Sequence, residues 1–145
     1  MKILVSQDTK SQIYQDAVKI RHQVFEIEQK VPHDLEIDEF ENVCSHFVLY
    51  DEQGKAQATV RLLPDKEGKM AILQRMAVYQ DVRSKGYGRM TVLEFERYAK
   101  EQGFEKIELH AQLSAELFYE KLGYLPFGEV FEDAGIDHIS MEKRI

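Results

Sequence analysis

"VRSKGYGRM", residues 82–90, sets two glycines and three cations in nine positions, just after an apolar run that ends at Val78. The whole chain has a formal net charge of −7, so this gathering of positive charge and bare backbone needs a local reason. Before it, "MAILQRMAV" (70–78) reads as a strand. After it, over 88–102, Val92, Phe95 and Ala99 recur on one helical stripe that Gly103 closes. The stretch therefore joins a strand to the start of a helix. The first N–H groups of a helix have no intrahelical partner and lie at the positive end of its dipole, which makes an anion site. Gly86 and Gly88 would let a large anion approach the main chain and would tolerate positive φ, while Arg83, Lys85 and Arg89 add formal charge. Two readings stand: a cradle for a phosphate or pyrophosphate, or a glycine-rich turn with solvated cations. No G-x-x-x-x-G-K-[ST] occurs, and no G-x-G-x-x-G follows the first strand, so neither a P-loop NTPase nor a dinucleotide fold is supported.

Working outward, 145 residues predict one domain over 1–145, and 43% hydrophobic with 31% charged residues predicts a soluble globular one. No apolar run approaches the ~18–20 residues of a membrane span. The apolar stretch of "MKILVSQDTK" is short for a signal peptide, so the expected location is the cytoplasm, with no membrane partner. Cys44 is the single cysteine and cannot form an internal disulfide. With 19 basic against 26 acidic residues, general nucleic-acid binding is disfavoured and a cationic partner is favoured.

Met1–Ser6 reads as a strand; Thr9 and Gln12 have capping-box spacing before Ile13, Ala17, Ile20 and Val24 on one helical face. "EQKVPHDLEIDEFENVC" follows as an irregular acidic loop. "HFVLYD", "KAQATVRLL" and "MAILQRMAV" form an antiparallel meander across turn-like "EQG" and "PDKEG". Beyond Gly103 come a strand "KIELHA" and a short helix carrying Ala115, Phe118, Tyr119 and Leu122 that stops at Gly123. Two last strands lie near 127–132 and 137–143.

The residues resemble the GNAT superfamily of acetyl-CoA-dependent N-acetyltransferases. Arg83-Ser-Lys-Gly86-Tyr-Gly88 matches its R/Q-x-x-G-x-G/A signature, and "LFYEKLGY" (117–124) is similar to its "FYxxxGF" segment. "VFEIEQKVPHDLEIDEFE", "HAQ" and "AGIDHISMEK" resemble the small ElaA/YjcF-like branch, so the likeness covers nearly the whole chain. It implies the acyl-CoA N-acyltransferase fold, an α/β (α+β) architecture with a mixed, mostly antiparallel central sheet flanked by helices. It also implies acetyl-CoA as acyl donor, a small-molecule or peptide amine as acceptor, attack in a ternary complex, and allows a homodimer. Carried over residue by residue, Arg83, Ser84, Lys85, Gly86, Tyr87, Gly88 and Arg89 would hold the pyrophosphate. The main chain of Met76, Ala77 and Val78 would pair with the pantetheine arm and offer an oxyanion donor; Phe118 and Gln112 would complete the cofactor site. Gln112 departs from the asparagine many members carry.

Tyr119 matches the family's general acid for the departing thiolate, or is a packed aromatic on its helix's apolar stripe. An aliphatic ammonium with a pKa near ~10.4 is neutral only about once in a few thousand molecules at pH 7, so either a base helps or the neutral amine is selected. Glu28, His46 and His138 are candidates, with Asp38 and Glu39 as alternatives in the acidic loop. That loop is either an attractor of a cationic amine or a solvated charge run. It lacks the D-x-D-x-D-G order of a calcium loop, and Cys44-x-His46 has no second ligand pair, so no metal is expected. A non-catalytic acyl-CoA-binding or sensing module is the alternative function, followed by a small interaction domain. An acyl-homoserine-lactone synthase is disfavoured because those proteins are longer and lack the loop.

Overall fold

In the computed structural model, which describes residues 1–145, Lys2–Ser6 (β1) pairs antiparallel with Ser45–Tyr50 (β2). That strand pairs with Ala56–Pro64 (β3), and β3 with Met70–Val78 (β4). The expected meander is present. Lys106–Gln112 (β5) lies parallel to β4; Leu125–Asp133 (β6) and Ile136–Arg144 (β7) complete a sheet ordered β1-β2-β3-β4-β5-β7-β6. The final hairpin turns on Ala134 and Gly135, both at positive φ, which suits the right-handed twist of its strands.

Alternating strand side chains place a helix on each face. Gln12–Arg21 (α1) buries Ala17 and Ile20, with Val24 just beyond its end, against Val48 and Ala77. Tyr87–Glu101 (α3) buries Val92, Phe95 and Ala99 against Phe47, Val60 and Leu62 on the opposite face. Between them stands a short helix, His33–Glu36 (α2), and after β5 another, Glu116–Lys121 (α4). Each fully buried Val, Leu, Ile or Phe contributes about 1.5–3 kcal/mol, so these two layers hold the sheet rigid from both sides.

Three local expectations change. The cap of α1 is Ser11, not Thr9: residues 8–11 close a turn, and the Ser11 hydroxyl accepts from the Tyr14 N–H at 3.2 Å. The segment after Phe25 is irregular only in part: wider π-type turns carry the helix through His22–Glu28 and α2 adds one turn, while 29–32 and 37–44 remain loop and turns. The last two strands also run longer than expected, to Leu125–Asp133 and Ile136–Arg144.

Candidate active site

β4 and β5 pair only from Met70–Lys106 to Leu73–Leu109. Beyond Leu73 the two strands diverge, since β5 continues against β7 as far as Gln112 while β4 keeps only β3. A bulge sharpens the divergence. Thr59 faces Ala77 while Arg61 faces Gln74, so both Arg75 and Met76 stand against Val60, and Arg75 takes φ +57°. The wedge leaves one edge of β4 over 74–78 without a strand partner and opens a cavity of about 1100 Å³ that reaches both faces of the sheet.

At one end of this cavity lies the loop 82–90. Gly86 is the N-cap of α3 at φ +85°, no side chain caps the helix, and its first turn has no acidic residue. Ser84 is also left-handed, at φ +74°, so the backbone alternates in the manner of an anion nest. Gly88 has another reason: a Cβ there would stand 3.4 Å from both Met76 Cε and Phe118 Cζ, filling the floor of the cavity. Arg83 is not a free cation. Its guanidinium donates to both Glu28 carboxylate oxygens at 2.6 and 2.8 Å, and its Nε to the Val78 carbonyl at 3.0 Å, tying the loop to β4 and to the end of the π-type turns. All the residues expected to hold the cofactor line the cavity except Lys85, which is exposed on the loop.

The matching family profile is an Acetyltransferase (GNAT) domain, which covers residues 7–145. The chain belongs to the GNAT acetyltransferase family. It is 40% identical over 129 residues to the N-acetyltransferase YjcF of Bacillus subtilis (strain 168), itself uncharacterised, covering 88% of this chain and 90% of that protein. The crystal structure of Escherichia coli ElaA superposes with a TM-score of 0.85 at 21% identity, over 99% of both chains. These likenesses set this GNAT protein in the ElaA/YjcF-like branch. An aminoglycoside 6'-N-acetyltransferase complexed with coenzyme A shares the fold, with a TM-score of 0.78 at 18% identity over 99% of this chain and 97% of that one.

The candidate catalytic residues separate by position. Tyr119, on α4, lines the cavity; its ring is 5% exposed and packs edge-on to Phe118 and Tyr124 at 5.0 and 5.7 Å. Burial raises its pKa, so it stays protonated throughout the neutral range. Its hydroxyl is not among the buried unpartnered atoms and has no protein hydrogen-bond partner, which leaves it facing the cavity. His138, on β7, also lines the cavity. Its Nδ1 lies 2.7 Å from the Ile136 carbonyl, which can only accept, so Nδ1 carries a proton, and in the neutral ring the lone pair is on Nε2. Phe131 stacks on that ring at 5.8 Å.

Glu28 and His46 belong elsewhere. Glu28 is held by Arg83, whose hydrogen bond first and charge second draw its pKa below the ordinary carboxylate value, making it a poor base. His46 lies on β2 outside the cavity, with Nε2 donating to the Glu41 carbonyl at 2.8 Å, and burial lowers its pKa. Gln112 exchanges hydrogen bonds of 3.3 and 2.9 Å with Gln29, an amide pair that spans the wedge. Burial pushes the Cys44 thiol up to about 11, so it is no nucleophile.

Three carboxylates of the acidic loop, Glu36, Asp38 and Glu41, are neither open nor solvated, while Asp34 and Glu39 stand exposed and outside any ion pair, away from the cavity. Arg21 donates to Glu36 at 2.5 Å and to Glu41 at 2.8 and 2.9 Å, and Arg61 donates to Glu41 at 2.7 Å and Asp38 at 2.9 Å. Arg75, thrown out by the bulge, donates to the Leu35 and Glu36 carbonyls at 3.1 Å and to Asp38 at 3.2 Å, clamping the segment 35–38 to β4. Sequence reasoning passed over these three arginines, although Arg61 and Arg75 interrupt apolar strand runs where a charge needs a partner.

Burial works against ionisation of Asp38, but the Arg61 hydrogen bond and charge outweigh it and hold the carboxyl at about 2, against an ordinary 3.8. Glu41 is lowered by Arg21 and Arg61 against the same opposition. Both pKa values are depressed on folding, so the stability they confer is complete above the unfolded values near ~4 and lost as pH falls through the folded ones. Thermal melts from pH 6 to pH 2 are expected to hold steady above about pH 5 and fall steeply between about pH 4 and pH 2. A flat profile through that window would contradict the network.

Proposed function

We propose that residues 1–145 act as one acetyl-CoA-dependent N-acetyltransferase domain, moving the acetyl group to a primary amine by direct attack in a ternary complex. The observation that carries this reading is the β4–β5 wedge, which opens toward the uncapped start of α3 on one face and toward the segment after α1 on the other. Donor and acceptor can therefore meet inside the sheet from opposite sides. The fit is local: uncapped N–H groups and Arg89 suit a pyrophosphate, bare Gly88 admits its chain, and the free edge of β4 suits the pantetheine amides.

In the transfer, the amine nitrogen forms a bond to the thioester carbonyl carbon and the carbon–sulfur bond breaks. His138 Nε2 is assigned as acceptor of the proton lost from nitrogen, and the Tyr119 hydroxyl as donor to the departing sulfur. A main-chain N–H of Met76 or Val78 is the proposed partner of the developing oxyanion.

The test begins at Gly86. Nothing lies within 4 Å of a Cβ placed there, so a substitution acts through charge and through φ, not through a clash. Gly86→Asp is expected to weaken CoA binding about 10-fold or more by calorimetry, equivalent to ~1.4 kcal/mol, by placing a negative charge at the positive helix end. Gly86→Ala, with the same φ penalty and no charge, should lose less. Unchanged affinity in a folded Gly86→Asp protein would remove the loop from the donor site. Tight CoA binding without thiol release from any amine would favour the non-catalytic acyl-CoA-binding module.

A further inference from the structure

Resting on the transfer reading above, we infer that the acceptor is a monoamine carried on an apolar, arylalkyl-type body, not a polyamine or an aminoglycoside. Much of the cavity wall is apolar. The segment that follows α1 supplies Val24, Phe25, Val31 and Leu35, and the β6–β7 hairpin supplies Ala134 and Ile136. These side chains offer area to an apolar body and no hydrogen bonds to a hydroxyl-rich one. Leu35 is 54% exposed, an apolar residue left in water at the mouth of a cavity. An exposed apolar side chain in that position gains from a ligand that covers it.

Charge excludes the polycations. A polyamine or aminoglycoside needs several free carboxylates around its ammonium groups, and of the five in segment 34–41 only the exposed Asp34 and Glu39 are outside ion pairs, neither of them lining the cavity. In the fold, Glu36, Asp38 and Glu41 face Arg21, Arg61 and Arg75, so three carboxylates meet three guanidiniums. Of the charged side chains lining the cavity, Glu36, Arg75 and Arg83 are already in ion pairs, which leaves one carboxylate, Asp133, against two cations, Arg89 and Lys121. Asp133, exposed beside the hairpin turn, is one charge for one ammonium on entry, and His138 lies five residues further along the same hairpin to take its proton.

The experiment measures thiol release from acetyl-CoA with ethylamine, butylamine, hexylamine, 2-phenylethylamine, putrescine, spermidine and kanamycin. Each added methylene is expected to raise kcat/KM about 3- to 4-fold while it is buried, and 2-phenylethylamine to exceed ethylamine by at least about 10-fold. Spermidine and kanamycin should fall below butylamine. A Val31→Asp/Leu35→Asp protein, with calorimetry confirming unchanged CoA affinity, should lose the preference for 2-phenylethylamine and gain on spermidine. If wild-type protein acetylates spermidine or kanamycin ahead of 2-phenylethylamine, this inference falls while acetyl transfer stands. If no amine releases thiol although CoA binds, both fall together.

Discussion

Tyr119→Phe is expected to lower kcat about 10- to 1,000-fold on the best amine while leaving acetyl-CoA affinity nearly unchanged. General acid catalysis typically contributes ~10² to 10⁴, and water admitted to the cavity can replace part of it. The ring is what packs against Phe118 and Tyr124, and phenylalanine retains the ring. The hydroxyl has no protein partner, so its removal breaks no internal hydrogen bond, and the melting temperature should not fall. This separates the two roles cleanly. A structural tyrosine loses ~0.5–1.5 kcal/mol of stability with turnover intact, whereas a proton donor loses turnover with stability intact. Equal kcat values for the two proteins would take Tyr119 out of the mechanism.

Glu41→Ala should destabilise the fold by about 3–5 kcal/mol, a large part of the ~5–15 kcal/mol that a domain has. Glu41 accepts from Arg21 at 2.8 and 2.9 Å, from Arg61 at 2.7 Å and from Tyr14 at 3.1 Å, and it is 8% exposed. Both arginines are 1% exposed, and without Glu41 each loses a charged partner it cannot replace with water. For a chain of this length the melting temperature should drop by roughly 10–16 °C. Adding Arg61→Leu to Glu41→Ala should recover part of the loss, because the second change removes one of the stranded charges. A Glu41→Ala protein that melts within about 2 °C of wild type would show that the network contributes little.

The network also accounts for where sequence reading went astray. Residues 34–41 look like a solvated or substrate-attracting acidic run because each carboxylate, taken with its neighbours, has no cation in reach. Their partners are 15 to 39 residues away, on α1, β3 and β4. The histidines show the same limit. His46 and His138 are equivalent as letters, and only the strand each occupies decides that one ring is closed off by the Glu41 carbonyl while the other lines the cavity. Glu28 fails as a base because Arg83, 55 residues on, holds it.

What the sequence determined by itself is everything written at short range. The stripe Val92, Phe95, Ala99 specifies which side of α3 is buried, and the meander follows from strand-length apolar runs between turn residues. The uncapped, glycine-rich start of α3 is legible because the glycines of the R-x-x-G-x-G loop and the helix that follows are neighbours along the chain. Tertiary structure alone decided the rest: that β7 lies between β5 and β6, that β4 and β5 part after Leu73, and that Arg75 emerges from a bulge to clamp α2. The physical reason is one of range. Side-chain periodicity encodes which face of an element avoids water, whereas the partner that face meets, and the gap left where two strands diverge, depend on segments tens of residues apart.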